Sequence, residues 1–344
     1  MQRGLNTHTE CSHSGATFNN NLTFFHLCIL DRPSGFIAVC DIGCMQYVPA
    51  KTIIQPVKNG SAWFGHDYNM NIYRGCSHGC IYCDSRSDCY QIEDFNVVRA
   101  KENALNIIES DLRRKRRKGV VGTGAMSDPY NPFEERLELT RNALFILDKY
   151  RFGASVTTKS DLVTRDIDVF QKIREHSPMI VNITITTYDD GMCKRIEPNV
   201  SVTSERFKAI KKLSDAGIFV GILMMPLLPF VNDTVDNVRD IIEEAHECGA
   251  KFIFPAFGMT TRAGQREWYF EEVEKIIPGT KDKHSMFYSD SYVCTSPNHN
   301  DIRRTFVREC DRFGIIYEMN KIIEAYKREI DTPSRRIQST LANY

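Results

Sequence analysis

Residues 74–83 read RGCSHGCIYC and place three cysteines, Cys76, Cys80 and Cys83, within eight positions in the spacing C-x3-C-x2-C. Structural zinc usually takes four ligands as two spaced pairs, and the sequence has no second C-x2-C. A redox dithiol needs only one such pair, which Cys80 and Cys83 supply. Three thiolates on one loop also suit a [4Fe–4S] cluster, because each binds one iron and the fourth iron is left without a protein ligand. That iron is open to a small chelating ligand.

The overall composition does not indicate a particular class of binding partner. The 344 residues carry 44 basic and 44 acidic side chains, so net charge gives no overall attraction to nucleic acid or to an acidic membrane. The twelve cysteines are mostly dispersed, which is not a disulfide framework in a chain of this size. No signal peptide opens the chain, and the apolar run at 24–30 is too short to span a bilayer. We expect a cytoplasmic protein in a reducing compartment, without membrane attachment.

The first 44 residues differ from the rest of the chain. They are polar and lack a helical or strand period, whereas the segment from Met45 reads like a natural beginning. Cys40 and Cys44 could bind a metal, but two thiols without nearby partners more often have no function. The predicted division is an irregular leader at 1–44, outside the natural fold, a core at 45–260 and a C-terminal helical extension at 261–344.

From residue 68 onward, short apolar runs alternate with helical patterns. The predicted strands span 68–73, 119–124, 153–158, 180–187, 218–226 and 251–257. Apolar residues between the first two strands recur at helical spacing, at Ala104, Ile108 and Leu112. Apolar strands separated by helices predict an α/β fold with a parallel sheet covered by helices. Six such units indicate a partial (βα)6 TIM-type barrel, short of the full eight.

Helix ends are also readable. The helix that begins near residue 203 is predicted to be capped by Thr203 or Ser204 and to end at Gly217, and a later helix ends at Gly249. In the C-terminal extension, helical patterns cover 268–277, 300–313 and 320–329.

The pattern C-x3-C-x-aromatic-C directly after the first predicted strand resembles the radical S-adenosylmethionine (SAM) superfamily. The resemblance implies that Cys76, Cys80 and Cys83 hold a [4Fe–4S] cluster whose free iron chelates the amino and carboxylate groups of SAM. Reductive cleavage of SAM then yields a 5′-deoxyadenosyl radical that abstracts hydrogen from the substrate. It also implies that the Tyr82 ring lies near the adenine. Cys89 is expected not to be a ligand, because a cluster with four protein ligands could not bind SAM.

Later stretches resemble one branch of that superfamily, the spore photoproduct lyase-like or DNA repair photolyase-like proteins. The similar stretches are SDPY (127–130), TTKS (157–160), TITTYD (184–189), IEPNVSVTSERFKAIKKLSDAGI (196–218) and GILMMPLLP (221–229). The resemblance covers about residues 45–325 and implies that Ser127, Lys159 and Thr184 hold SAM, with the backbone up to Met225 along the adenine edge. A cation and hydroxyl groups suit the carboxylate and ribose of SAM.

Each of these side chains also has a structural interpretation. Lys159 could cap a strand end, and Thr184 and Thr186 are strand formers in a half-buried strand. Ser127 and Asp128 could form a cap and turn before a proline, and Asp128 is expected to do so in either case.

Other charged groups are expected to be structural. Glu197 and Arg206 are expected to form a buried ion pair rather than act in catalysis. The basic run RRKRRK at 113–118 could bind nucleic acid, but it lies at a helix C-terminus, where cations interact favourably with the helix dipole. We therefore expect it to be a solvated face.

The position two residues before Ser127 departs from the lyases. Spore photoproduct lyases have a hydrogen-donating cysteine there, whereas this chain has Ala125. An alanine cannot return a hydrogen atom to a product radical, so we expect no repair of the spore thymine dimer by that route. Family membership therefore does not name the reaction.

Three functions remain open from the sequence. The first is a radical SAM enzyme with an unknown substrate, for which nucleic acid is one option, and a low-potential electron donor of the flavodoxin or ferredoxin type. The second is an iron–sulfur electron-transfer or binding protein without SAM turnover. The third is a zinc or dithiol protein that uses Cys76, Cys80 and Cys83 differently.

Overall fold

A computed structural model describes residues 45–57 and 63–328. The predicted leader at 1–44, with its cysteines, lies outside the described residues. The strands, in chain order, are β1 (Gln46–Val48), β2 (Ile54–Pro56), β3 (Tyr68–Met70), β4 (Tyr73–Arg74), β5 (Arg99–Lys101), β6 (Val120–Thr123), β7 (Gly153–Thr158), β8 (Met179–Thr184), β9 (Phe219–Met224), β10 (Ile253–Pro255), β11 (Gly258–Thr260) and β12 (Val293–Thr295).

Helices occupy most of the segments between these strands. In chain order they are α1 (Ala104–Arg114), α2 (Glu134–Leu137), α3 (Leu139–Lys149), α4 (Ile167–Arg174), α5 (Asp190–Ile196), α6 (Thr203–Asp215), α7 (Val235–Glu247), α8 (Gln265–Ile276), α9 (Thr280–Tyr288), α10 (His299–Phe313) and α11 (Met319–Arg328). Within the described ranges, no helix combines the length and apolar character needed to cross a membrane.

One seven-stranded sheet organises the fold, in the order β10–β9–β8–β7–β6–β3–β2. The strands from β3 to β10 run parallel to their neighbours, and β2 at the edge runs antiparallel to β3. Six parallel strands with helices between them confirm the predicted partial (βα)6 barrel. The first predicted strand, 68–73, is instead two short strands. β3 belongs to the barrel, whereas β4 pairs with β5 in a separate sheet because the chain turns away after Met70.

The strands are buried on both faces. Outward residues such as Val156 and Val181 join the core formed with the helices, as parallel strands covered by helices require. The alternate residues on these strands include polar ones that hydrogen-bond one another: Asn182 Nδ2 donates to Ser155 Oγ and to Thr157 Oγ1, at 3.2 Å each. The barrel interior is therefore polar in its middle layer.

Helix α11 packs where the strands begin. Its Ile322 and Tyr326 share an apolar cluster with Phe219 and Phe252, which lie at or just before the starts of β9 and β10. The Tyr326 hydroxyl donates to the Phe64 carbonyl at 2.6 Å. The carboxyl ends of the strands, where parallel barrels place their functional groups, lie at the opposite end.

The C-terminal segment is more varied than the sequence indicated. The three predicted helices correspond to α8, α10 and α11, whereas α9 and the antiparallel β11–β12 pair were missed. The sequence of α9, TKDKHSMFY, carries few apolar residues at helical spacing, so periodicity could not reveal it. The predicted division at residue 260 falls between the paired strands β11 and β12, and it stays a prediction.

The predicted cap of α6 is wrong. The residue before the helix is Val202, whose N–H donates to the Glu205 carboxylate at 3.1 Å. Asp190 of α5 accepts the Ser204 N–H at 2.9 Å, and the Thr203 hydroxyl donates to a backbone carbonyl instead. A carboxylate from a neighbouring helix thus replaces a local cap. The predicted helix ends hold, since Gly217 and Gly249 adopt φ of +76° and +78°.

Candidate active site at the cysteine loop

The loop with the three cysteines begins directly after β4. Gly75 has φ of +79°, and a Cβ there would lie 2.2 Å from the Val97 carbonyl oxygen. The next N–H, of Cys76, donates to the Phe95 carbonyl at 2.7 Å. Farther along, the Ile81 N–H donates to the Ile196 carbonyl at 3.0 Å. A glycine is required at position 75 because the loop passes directly against the chain before β5.

The three thiols are free and only partly accessible. Cys80 is buried, and Cys76 and Cys83 are half-buried. Burial raises the pKa of the Cys80 and Cys83 thiols above their usual range. In the part of the chain that the structure describes, no group of three or more His, Cys, Asp and Glu side chains could hold one metal ion. A zinc site would need thiolates converging at about 2.3 Å from a single ion, whereas a cubane binds each thiolate on a separate iron.

Asp128 connects the cysteine loop to two strand ends. Its Oδ1 accepts hydrogen bonds from the Tyr130 N–H at 2.9 Å and the Thr158 hydroxyl at 2.6 Å. Its Oδ2 accepts the Lys159 N–H at 2.8 Å and lies 3.5 Å from Nδ1 of His78, inside the cysteine motif. The bond to Tyr130 confirms the predicted turn. The contacts to Thr158 and His78 show that Asp128 also joins the ends of β6 and β7 to the loop.

A cavity of about 510 Å³ opens beside the cysteines. Its inner wall contains Cys80 and Cys83 together with three of the predicted SAM-binding residues, Tyr82, Lys159 and Met225. Ala125, at the position of the lyase cysteine, also lines the cavity. The outer wall comes from the chain after β10 and from the C-terminal segment, with Phe257, Met259, Thr260, Val293, Thr295 and His299.

Lys159 places a permanent positive charge at this cavity. Its side chain is half-buried, with Nζ 5.7 Å from the centre of the Tyr82 ring. Burial lowers the pKa of Lys159, but its electrostatic interactions with Cys80, Glu197 and Asp128 outweigh burial and hold the pKa above the usual range. The ammonium therefore stays protonated. The strand-end contact is made by its backbone N–H, so the side chain remains available to the cavity.

The predicted hydroxyl contacts divide into two kinds. The Ser127 Oγ is buried and has no hydrogen-bond partner, which fits a group that meets a ligand. Thr184 is buried at the end of β8, and its carbonyl accepts a hydrogen bond from Arg206 Nη1 at 2.8 Å. The unpartnered hydroxyl on this strand end belongs instead to Thr186. Neither Ser127 nor Thr184 lies among the residues of the cavity wall, so both remain predictions.

Glu197 and Arg206 form the buried ion pair that was predicted. Arg206 Nη2 lies 2.5 Å from Glu197 Oε2, and both side chains are 1% exposed. The other carboxylate oxygen of Glu197 accepts the Tyr82 hydroxyl. Burial opposes ionisation of Glu197, but Arg206 and Lys159 hold its pKa below the usual range. The pair thereby fixes the Tyr82 ring beside the last cysteine of the motif.

Cys89 lies apart from the cavity wall. Its thiol is exposed, 3.0 Å from the Ser87 hydroxyl and 3.4 Å from Arg262 Nη1. Hydrogen bonding to Ser87 and to Arg262 lowers its pKa. That it is not a cluster ligand stays a prediction.

The basic run at 113–118 lies at the end of α1, with side chains of Arg114 and Arg117 that are 68% and 85% exposed. Both form ion pairs with nearby aspartates, as expected of a solvated face.

Several residues at the site were missed from the sequence. His78 was detectable, because it stands inside the cysteine motif. His299 of the C-terminal segment and Phe257 of the chain after β10 also line the cavity, and their rings lie 5.7 Å apart, edge to face. The His299 Nδ1 is buried without a hydrogen-bond partner. No local pattern identifies such residues, because their position depends on how the C-terminal segment packs.

Comparisons with known proteins agree with this architecture. The sequence model of the radical SAM superfamily matches residues 70–245, more than half of the chain. The chain therefore belongs to the radical SAM superfamily. It is a radical SAM enzyme, and the cofactors of this family are a [4Fe–4S] cluster and SAM.

The relatives extend over much of the chain. An uncharacterised protein of Methanocaldococcus jannaschii is 35% identical over 189 residues, which are 54% of this chain and 68% of that protein. An uncharacterised protein of Mycobacterium bovis is 25% identical over 249 residues, covering 70% of this chain and 72% of the relative.

Among solved structures, the fold is similar to that of spore photoproduct lyase. One variant of that enzyme gives a TM-score of 0.56 at 13% identity, covering 79% of this chain and 80% of the other. Another, with bound AdoMet and dinucleoside spore photoproduct, gives a TM-score of 0.55 at 14% identity over 77% and 78% of the two chains. At this identity the similarity shows a shared fold.

The buried ion pair generates a stability prediction. Glu197→Gln leaves the Arg206 charge buried without its counterion, so we expect the free energy of unfolding to fall by about 3–5 kcal/mol. Urea denaturation of the purified protein measures it. The matched control is Asp236→Asn, which breaks an exposed pair with Arg239 and should cost less than about 1 kcal/mol. Equal losses in the two variants would show that the buried pair has no special structural role.

Proposed function

We propose that Cys76, Cys80 and Cys83 hold the [4Fe–4S] cluster of this radical SAM enzyme and that SAM binds in the adjoining cavity. The observation that carries the proposal is the shared cavity wall, where Cys80 and Cys83 stand beside the half-buried Lys159 ammonium and the Tyr82 ring. When bound, the cluster and SAM supply a carbon-centred radical that removes a hydrogen atom from the substrate. The reaction class beyond that step is open.

The residues present fit both groups. The tight turn at Gly75 and its contact with the chain before β5 position the first thiol of the loop. The Lys159 ammonium suits the carboxylate of SAM, since charge-assisted hydrogen bonds of this kind are strong. Tyr82, held by Glu197, offers an aromatic face, and Met225 offers apolar contact at the same wall. Apolar lining excludes water, which strengthens the electrostatic interactions inside.

Ala125 separates this enzyme from spore photoproduct lyase. Ala125 lines the cavity, and the sequence resemblance matches it to the hydrogen-donating cysteine of the lyases. A methyl group cannot return hydrogen to a product radical. We therefore propose that this enzyme does not repair spore photoproduct by that route. Any hydrogen atom that is returned to a product radical must come from another donor.

We propose a nucleic-acid component as substrate and a flavodoxin- or ferredoxin-type protein as electron donor. Radical SAM enzymes need a reductant. The similar fold of spore photoproduct lyase binds a dinucleoside in its solved complexes, which supports a substrate of this class. The outer wall presents Phe257 and the unpartnered Nδ1 of His299, and these groups suit the face and the edge of a base.

The cysteines provide the first test. After anaerobic reconstitution we expect about four irons and four sulfides per wild-type chain, as a [4Fe–4S] cluster requires, and formation of 5′-deoxyadenosine from SAM on reduction. Cys76→Ala, Cys80→Ala and Cys83→Ala should each lose the brown chromophore and SAM cleavage, whereas Cys89→Ala should keep both. Iron and sulfide analysis with product chromatography measures these outcomes.

The alternatives give different results in the same assays. One zinc per chain would indicate a zinc protein, and a full cluster without 5′-deoxyadenosine would indicate an electron-transfer protein. Loss of the cluster in Cys89→Ala with retention in Cys83→Ala would contradict the ligand assignment.

Lys159 provides a second test. Lys159→Ala removes one charge-assisted contact worth about 1.5–3 kcal/mol, so we expect SAM to bind about ten- to a hundredfold more weakly at unchanged iron content. Anaerobic titration calorimetry measures the affinity. Lys172→Ala, an exposed lysine on α4, is the control and should bind SAM normally. Loss of iron in Lys159→Ala would instead assign this residue a structural role.

Substrate class is tested with oligonucleotides. We expect a DNA or RNA oligonucleotide to increase 5′-deoxyadenosine formation, with deuterium transfer from labelled substrate into that product. His299→Ala should lose this stimulation but keep basal SAM cleavage, whereas the neighbouring exposed Asn300→Ala should behave as wild type. Absence of stimulation and of deuterium transfer with every single- and double-stranded oligonucleotide would rule out the nucleic-acid proposal.

A further inference from the structure

Arg86 stands three residues after the last cysteine of the motif. Residues Asp84–Arg86 form a 3₁₀ turn, and the Arg86 N–H donates to the Cys83 carbonyl at 3.2 Å. Residues three apart eclipse each other in such a turn. Arg86 therefore lies one turn after Cys83, and the backbone hydrogen bond keeps the two residues close together.

The Arg86 guanidinium is held by two other parts of the chain, at Phe95–Asn96 and at Trp268. Its central carbon lies 4.1 Å from the centre of the Trp268 ring and 4.9 Å from that of Phe95, and Nη2 donates to Asn96 Oδ1. Such cation–π contacts stabilise a partly buried cation. Because the Phe95 carbonyl also accepts the Cys76 N–H, Arg86 links the last cysteine turn to the segment that holds the first cysteine.

Two buried donors at this place lack acceptors. The Arg86 Nε has no hydrogen-bond partner, and neither has Nε1 of the Trp268 indole that packs against it. A buried N–H without an acceptor costs about 1–3 kcal/mol, so native structures rarely leave one unpaired. Burial lowers the pKa of Arg86, and its electrostatic interactions with Cys83, Cys80 and Cys76 act in the opposite direction. A guanidinium stays protonated in proteins, so Arg86 is a cation that interacts electrostatically with the three cysteines.

We propose that Arg86 is a positioning residue for the [4Fe–4S] cluster, donating its Nε–H to a cluster sulfur and raising the reduction potential through its positive charge. The inference rests on the proposed function, since it needs a cluster on these cysteines. A cluster with three thiolates gains one negative charge when it accepts an electron, so a nearby cation favours the reduced state. Hydrogen bonds to sulfur and net charge are two factors that set such potentials.

Arg86 and Lys159 have different places. Lys159 belongs to the wall of the cavity proposed for SAM, whereas Arg86 is absent from the residues that line it. Arg86 approaches from the Phe95 and Trp268 side. We therefore expect Arg86 to affect electron uptake by the cluster and to leave SAM affinity nearly unchanged.

The test uses the full chain, reconstituted anaerobically. Arg86→Gln removes the charge, and we expect a reduction equilibrium constant about tenfold smaller, which is 59 mV for a one-electron couple, at unchanged iron content. Arg86→Lys keeps the charge and should remain within about threefold of wild type. Arg239→Gln, an exposed arginine on α7, is the control and should not change the potential. A redox titration followed by electron paramagnetic resonance measures all four proteins.

A second measurement tests for the contact between Arg86 and the cluster without removing the arginine charge. Wild type labelled with ¹⁵N-arginine should show a nitrogen hyperfine coupling to the reduced cluster in pulsed electron paramagnetic resonance, and Arg86→Lys should lack it. A wild-type cluster without this coupling, or an iron-replete Arg86→Gln with unchanged potential, overturns the role of Arg86 alone. If Arg86→Gln binds no iron, the hyperfine measurement on the labelled wild type decides whether Arg86 contacts the cluster. A wild type that binds no iron overturns the proposed function, and this inference with it.

Discussion

The ion pair between Glu197 and Arg206 connects the parts of the chain that form the site. Arg206, on α6, also donates to the carbonyls of Thr184 and Ser201, which ties the helix to the end of β8 and to the preceding loop. Glu197 in turn accepts the Tyr82 hydroxyl from the cysteine loop. Two opposite charges taken out of water must remain together, because an unpaired one is costly to bury. The position of the cysteine loop relative to the barrel depends on this constraint.

Charge around the cysteines is arranged on several sides. Lys159 lies in the cavity wall, Arg86 lies toward Phe95 and Trp268, and His78 stands beside Asp128 within the loop. Asp128 and Glu197 are the carboxylates of the same neighbourhood. This arrangement suits a group that is negative overall and changes its charge during reaction. Lys159 on one side and Arg86 on the other allow ligand binding and electron uptake to be adjusted by different residues.

The barrel was predictable because its signal is local. Apolar β-branched runs, glycines at helix ends and helical periodicity lie within short windows, and all six parallel strands follow from them. The cysteine motif is local as well. The sequence missed three features, namely the cap of α6, the helix α9 and the β11–β12 pair. Asp190 caps α6 from a neighbouring helix, and strands as short as β11 and β12 are recognised only by their pairing. Of the candidate residues from the family resemblance, Tyr82, Lys159 and Met225 line the cavity, whereas Ser127 and Thr184 are not among its lining residues. Their contacts with SAM all stay predictions.

The amino-acid sequence by itself determined the α/β barrel, the three-thiol motif and the family to which they belong, since each depends on residue type and spacing along the chain. Only the tertiary structure decided which side chains share the cavity. Packing brings together three pairs of residues from separate parts of the chain: Phe257 with His299, Arg86 with Trp268, and Tyr82 with Glu197. Contacts between distant residues arise when helices pack against the sheet, and no short window of sequence records that packing.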